Sequence, residues 1–516
     1  MFNPVTYQTR RNELRSRLAR EGITEGTILV PGNRESPANY ADNCYRFRQD
    51  STFLYLFGHA IPGLAGTIEL ANGKTCLFGE AHSLDDEIWT GPLPSLEELG
   101  KLSGADRAKP YAEIKTELRP YAAPPRATRA GESRDTAARV HFVSPYRAEQ
   151  RLELLSLLGE EGFSATLAAD GHQDRLAAQA SEGRQTPTST IAPSSARLFA
   201  AVDAAASLPL MRALVALREI KNVEEIAELD RAADQSAAMH RAVLKAAQPG
   251  MREYELAAIA AGLALADGGG LAFPIIATTR GAVLHNHEYG NRLEAGGLAL
   301  IDMGAETVRG YAGDLTTTFP IGPSYDSRQR AIYEIVLSGF KAATELLKPG
   351  LAFKEAHFAA ARAMSQGLKE LGLMRGDPAE AVAAGAHALF FPHGLGHQIG
   401  LDVHDMENYG EVLVGYDGQP KSTEFGLKSL RLAKPLKAGM THSVEPGLYF
   451  IAPLIQRWKA ERRHEAFLDY AAIEDWIGFG GVRNEEDWLI TETSARKLGK
   501  PFDKSIEAIE AYRRGN

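Results

Sequence analysis

Residues 296–322 read GGLALIDMGAETVRGYAGDLTTTFPIG. Two β-like runs, LALIDM (298–303) and DLTTTFPI (314–321), flank a turn region carrying glycine and tyrosine. Asp302 follows four apolar residues, and Asp314 opens the second run. Burying a carboxylate in such a strand costs several kcal/mol if it stays charged and unpaired. Two close together cost more, unless a cation lies between them. Solvated acids on an edge hairpin are the alternative. Period-two alternation puts Asp314, Thr316 and Thr318 on one face, so Thr316 is placed to hydrogen-bond a carboxylate ligand.

Three further segments extend the pattern. In ALFFPHGLGHQIGLDVHD (388–405), His393, His397 and His404 sit among apolar residues and glycines. A neutral imidazole there suits a borderline divalent ion, whereas packed structural histidines would bind nothing. GMTHSVEPGLYFI (439–451) places Glu445 at the end of a short strand, with Pro446-Gly447 turning the chain. In GFGGVRNEEDWLIT (478–491), Arg483 and Glu485 are two apart and share a face, while Glu486 points the other way. A simple ion pair is the plainer reading of that last couple.

The chain as a whole has 516 residues, enough for about two to four domains. Hydrophobic residues at 44% and charged residues at 24% are those of a globular protein, and the net charge of −9 is mild. No basic stripe argues for nucleic acid, and no run of about 18 apolar residues argues for a membrane helix. The N-terminus is basic without an apolar segment, so it does not read as a signal peptide, and a cytoplasmic protein is expected. Cys44 and Cys76 offer neither a disulfide framework nor a thiolate metal site.

An arginine-rich helix is expected over Thr6–Glu21, then a strand TILVPG (27–32). GTIELANGKTCLFG (66–79) reads as two strands joined by an Asn-Gly turn. Helices and short strands alternate to about Asp174, an α/β pattern. The Ser-, Thr-, Pro- and Gln-rich stretch 176–196 reads as an exposed loop or linker. Residues 210–250 read as one long helical tract stopped by Pro249-Gly250. Beyond it histidines and strand-borne acids accumulate, with eight of fourteen histidines between His285 and His442.

Taken together, LIDMGAE…GYAGDLTTTFP, PHGLGHQIGLDVHD, SVEPGLYFI and GFGGVRNEED resemble the metallopeptidase family with the pita-bread (creatinase/aminopeptidase) fold. That is the family of prolidase, aminopeptidase P and methionine aminopeptidase. VLHNH (283–287) resembles its segment supplying a substrate-side histidine, and YRFRQDSTFLYLFG (45–58) resembles the N-terminal domain that precedes the catalytic one in prolidases and aminopeptidases P. The resemblance implies an α/β N-terminal domain over 1–205 and an α+β catalytic domain over 206–516 with a curved antiparallel sheet. It implies a metal-dependent hydrolysis of Xaa-Pro bonds in short proline-containing peptides, and a homo-oligomer, dimer or tetramer.

Residue by residue, the resemblance implies metal ligands Asp302, Asp314, His397, Glu445 and Glu485, with Asp314 and Glu485 bridging two divalent ions. Four carboxylates and a neutral imidazole balance two such charges independently of the resemblance. The thiolate-free set suits Mn²⁺, with Co²⁺, Fe²⁺ or Zn²⁺ as alternatives. Glu445 is the expected base and proton shuttle, His404 an oxyanion stabiliser, His393 and His285 substrate contacts, and Arg483 the holder of Glu485. Several positions depart from the family pattern. Asp302 and Asp314 are twelve apart rather than eleven, DLTTT stands for DITRT, and His442 and Asn484 replace apolar residues or threonine.

GLKSLRLAKPLKAGM (426–440) resembles a prolidase stretch in which an arginine, matching Arg431, binds the free carboxylate of a dipeptide. EIWTGPL (87–93), with Trp89, resembles the aminopeptidase P segment whose tryptophan reaches a neighbouring subunit's site. A surface arginine and an ordinary packed tryptophan are the bland alternatives. The expectation is a Xaa-Pro dipeptidase, with a Xaa-Pro aminopeptidase as the alternative and a catalytically silent binding module as the remote one.

Overall fold

A computed structural model of the chain describes residues 1–121, 139–169, 200 and 202–515. These fall into two compact units, Met1–Leu217 and Arg218–Asn516. The stretch 176–196, expected as a loop, lies outside the described residues.

In the first unit the helix Pro4–Arg20 begins with Pro4 after the Asn3 cap, whose side chain accepts the Val5 N–H. The strands Thr27–Pro31, Ala65–Glu69 and Thr75–Gly79 run antiparallel to one another in that order. Asn72-Gly73 sits between the last two as the sequence predicts, with Gly73 at φ 77°. Arg107–Pro110 and Val140–His141 add parallel edges, which makes a five-stranded mixed sheet. Leu29, Cys76, Phe78, Ile114, Phe142 and Leu154 form its core.

In the second unit a helix pair followed by antiparallel strands occurs twice. Helices Val223–Ala246 and Glu253–Ala266 precede the strands Ile276–Thr278, Leu298–Met303 and Leu315–Pro320. Helices Ser327–Thr344 and Phe353–Glu370 precede Thr441–Val444, Gly447–Tyr449, Gly481–Arg483 and Glu486–Ile490. The first helix of each pair packs on its own strands. His240, for example, sends Nε2 to the Leu315 carbonyl at 2.9 Å from inside the helix Val223–Ala246. The two strand groups meet at a bridge between Thr316 and Glu485, which makes one curved antiparallel surface.

The helical tract expected over 210–250 is in fact two helices, Leu208–Arg218 and Val223–Ala246. Asn222 breaks it. Its side chain accepts the Glu225 N–H while Glu225 accepts the Asn222 N–H, a capping box that starts a new helix. Among the described residues no helix is long and apolar enough to cross a membrane.

Candidate functional site

Strand register brings the acids together. Asp302 stands opposite Ile276 on one side and Thr316 on the other, and Thr316 bridges to Glu485. One row across the sheet therefore carries Asp302, Thr316 and Glu485. Asp314 sits just before the strand that bears Thr316. Glu445 follows the strand Thr441–Val444, which pairs with Glu486–Ile490. The loop bearing His397 lies against that strand so tightly that a Cβ on Gly396 would fall 2.2 Å from the Ser443 carbonyl oxygen. Only glycine permits this approach.

These side chains line one cavity of about 590 Å³, a volume fit for a small ligand. Asp302, Asp314, His397, Glu445, Glu485, Arg483, His393, His404, His285 and Arg431 all border it. Trp89 belongs to the first unit, on the short helix Leu84–Thr90, and is 81% exposed.

Asp314, His397 and Glu485 are buried and offer ligand atoms within 4.8 Å of one another, a grouping able to hold a metal ion. His397 Nε2 lies 3.3 Å from Asp314 Oδ2 and 3.7 Å from Glu445 Oε1. Its Nδ1–H donates to the Gln398 carbonyl at 3.0 Å, which turns Nε2 toward the acids. Asp302 Oδ1 and Asp314 Oδ1 are buried with no hydrogen-bond partner among the described residues. Burial, followed by mutual repulsion among the acids, pushes the pKa values of Asp314 and Glu485 well above the usual carboxylate range. Burial likewise raises Glu445. Acids crowded in this way are stable in ionised form only beside cations, and the donor set of carboxylates and an imidazole fits divalent ions.

Arg483 supplies one cation. Its Nη2 donates to Asp302 Oδ2 at 2.5 Å, its Nη1 to the Tyr449 hydroxyl at 2.8 Å and its Nε to Thr316 Oγ1 at 3.1 Å. Thr316 Oγ1 in turn donates to Glu485 Oε2 at 2.6 Å, so its hydroxyl serves a carboxylate as the alternation suggests. The Tyr449 hydroxyl also donates to His393 Nε2 at 2.9 Å, because His393 Nδ1–H is given to the Gly394 carbonyl at 2.8 Å. Burial pushes His393 down to about 3, so its ring is neutral.

Three residues escaped the sequence reading. Asp487 is buried, and its Oδ2 accepts the backbone N–H of Asp314 at 2.8 Å. Alternation from Glu485 could have found it. Tyr449 was within reach as the buried aromatic of GLYF. Glu407, which accepts from both His404 and Arg431, gave no periodic signal.

Comparison with known proteins agrees with this architecture. Residues 227–492 match the model of metallopeptidase family M24, and residues 7–128 match the aminopeptidase P N-terminal domain. The human Xaa-Pro dipeptidase is 29% identical over 99% of this chain and 93% of its own length. The Xaa-Pro aminopeptidase of Escherichia coli (strain K12) is 30% identical over 91% of this chain and 90% of its own. A structure of an Escherichia coli aminopeptidase P variant in complex with substrate superposes with a TM-score of 0.74 at 27% identity, covering 100% of this chain and 99% of that one. Proline aminopeptidase P II from Yersinia pestis gives 0.72, also at 27% identity, with 100% of both chains covered. The chain belongs to metallopeptidase family M24: a pita-bread catalytic domain preceded by an aminopeptidase P-type N-terminal domain.

Proposed function

We propose that this chain is a Xaa-Pro dipeptidase that works with two divalent metal ions held by Asp302, Asp314, His397, Glu445 and Glu485. The observation that carries the reading is the convergence of those five side chains on one cavity, beside an arginine suited to a carboxylate. Relatives named Xaa-Pro dipeptidase and Xaa-Pro aminopeptidase, matched over nearly the full chain, support the proline specificity. A charge count supports two ions rather than one. When ionised, the buried acids Asp302, Asp314, Glu485 and Asp487 and the half-buried Glu445 carry five negative charges, Arg483 carries one positive, and two divalent ions supply the remaining four.

The ions, Mn²⁺ by the donor chemistry, supply Lewis acidity to an attacking water and to the scissile carbonyl. Glu445 takes the proton from the attacking water and delivers it to the leaving proline nitrogen. Arg483 and Thr316 fix Asp302 and Glu485 against rotation. His404 gives its Nδ1–H to Glu407 at 3.1 Å, so as a neutral ring it offers Nε2 only as an acceptor. The Glu407 carboxylate favours a proton there, but burial outweighs it and holds the His404 pKa down to about 4, so the oxyanion role requires a proton delivered with the substrate. His285 on the cavity rim and the edge of the His393 ring contact the substrate. Arg431 pairs with the free carboxylate of the C-terminal proline, which selects dipeptides.

The alternative, a Xaa-Pro aminopeptidase, is favoured by two observations: the aminopeptidase P structural neighbours and the exposed Trp89. In that reading the protein is a homo-oligomer, and Trp89 of a second copy completes the site. Comparing rates on a Xaa-Pro dipeptide and a Xaa-Pro-Xaa tripeptide, with metal content measured in parallel, separates the readings. Faster cleavage of the dipeptide is expected. Much faster cleavage of the tripeptide overturns the dipeptidase reading, and no metal-dependent cleavage of either leaves only a silent binding module.

A further inference from the structure

Arg431 borders the cavity, but the acids that touch it do not. Its Nη1 donates to Glu407 Oε2 at 2.5 Å and to Glu411 Oε1 at 3.0 Å. A guanidinium Nη carries two hydrogens, and these two contacts use both. Among the described residues Nη2 and Nε are left, and together they form the side-on fork that grips a carboxylate through two parallel bonds. Glu411 is itself paired with Lys421, so the cluster of two acids and two bases is neutral. A neutral cluster attracts an anion weakly at long range. It recognises one through the placement of its donors instead.

Glu407 has a second duty. The oxygen that holds Arg431 is the same Oε2 that accepts His404 Nδ1–H, so one carboxylate oxygen ties a ring beside the metal ligands to the arginine on the cavity wall. His404 itself lies with its ring centroid 3.9 Å from that of His397. Burial works against charge on Glu407, but the His404 hydrogen bond and Arg431 outweigh it and hold its pKa down at about 2, so it is ionised throughout the working range.

We propose that Glu407 is a specificity-determining positioning residue. By holding Nη1 from behind, it fixes the Nε/Nη2 edge of Arg431 toward the substrate's C-terminal carboxylate, at a set position relative to His404. The proposal rests on the reading of Arg431 as the carboxylate clamp and adds which edge binds and what orients it. Without Glu407, Arg431 keeps one contact to Glu411 on a long side chain with many rotamers, and the bidentate geometry is lost.

The test is the ratio of kcat/KM for a Xaa-Pro dipeptide to kcat/KM for its C-terminal carboxamide, measured on the metal-loaded full chain. A loss shared by both substrates, through His404 or through stability, cancels in this ratio. The unaltered protein favours the free acid, and Arg431→Met abolishes the preference. Glu407→Ala lowers the ratio about tenfold, the scale of one lost charge-assisted hydrogen bond. Glu407→Gln, which keeps an acceptor oxygen and the side-chain volume, gives a smaller fall. An unchanged or increased ratio in both Glu407 variants, with Arg431→Met still abolishing it, overturns the positioning role and leaves the clamp intact. A ratio that Arg431→Met does not move overturns the clamp, and the proposal with it.

Discussion

Three nitrogens of Arg483 go to three partners on three separate strands: Asp302, Tyr449 and Thr316. Burial opposes its charge, but Tyr449, Asp302 and Glu485 hold its pKa well above the ordinary value. A lysine ammonium is a compact donor that cannot reach all three in one plane. Arg483→Lys is therefore expected to lower kcat about 100-fold, the usual cost of misplacing a reacting group by an ångström, with KM changed far less. Steady-state kinetics in metal-replete buffer checks this, and near-normal kcat would refute it. At this scale much of the site was legible, because an acid inside an apolar strand is an anomaly that a sequence displays. Glu407 was not legible. It follows Met406 at φ 65°, and that reversal brings it beside an arginine twenty-four residues on, which no periodicity encodes.

At the scale of elements, the strand group carrying Glu485 is secured from the C-terminal segment. Lys504 is buried, donates to the carbonyls of Thr316 at 3.0 Å and Glu485 at 2.5 Å, and pairs with Glu486 at 3.1 Å. It thus links the two strand groups at their bridge. Lys504→Met leaves Glu486 and two carbonyls buried without that partner, and a loss of about 3 kcal/mol is expected. Denaturant unfolding reads it as a lower midpoint with unchanged slope. A midpoint equal to that of the unaltered chain would show that Lys504 secures nothing. The sequence reading recovered the strands on either side of this bridge because their alternation is regular. It read one helix where there are two, because the apolar pattern of residues 210–246 runs on through the break. Only the Asn222–Glu225 box marks the new start. Asp487 continues the alternation of Arg483 and Glu485 into the strand Glu486–Ile490, so it was within reach of the same pattern.

For the whole molecule, the buried acids couple ion binding to folding. Burial and like charges raise the pKa values of Asp314, Glu485 and Glu445, so without ions these groups favour the protonated form. Their contribution to stability is present below the ordinary carboxylate pKa and is lost as pH rises through the raised values. Bound ions require the ionised acids, so uptake releases protons. The gain in Tm on adding Mn²⁺ to chelator-treated protein is therefore expected to grow as pH is raised from about 6 to about 8. Thermal unfolding in the two states checks it, and a gain independent of pH or falling with it would contradict the coupling.

The most direct test is diffraction from crystals grown with Mn²⁺, with anomalous signal recorded at the manganese edge. Two anomalous peaks about 3.5–4 Å apart are expected, enclosed by Asp302, Asp314, His397, Glu445 and Glu485. No peak among those five side chains, or peaks held by other residues, would contradict the central claim.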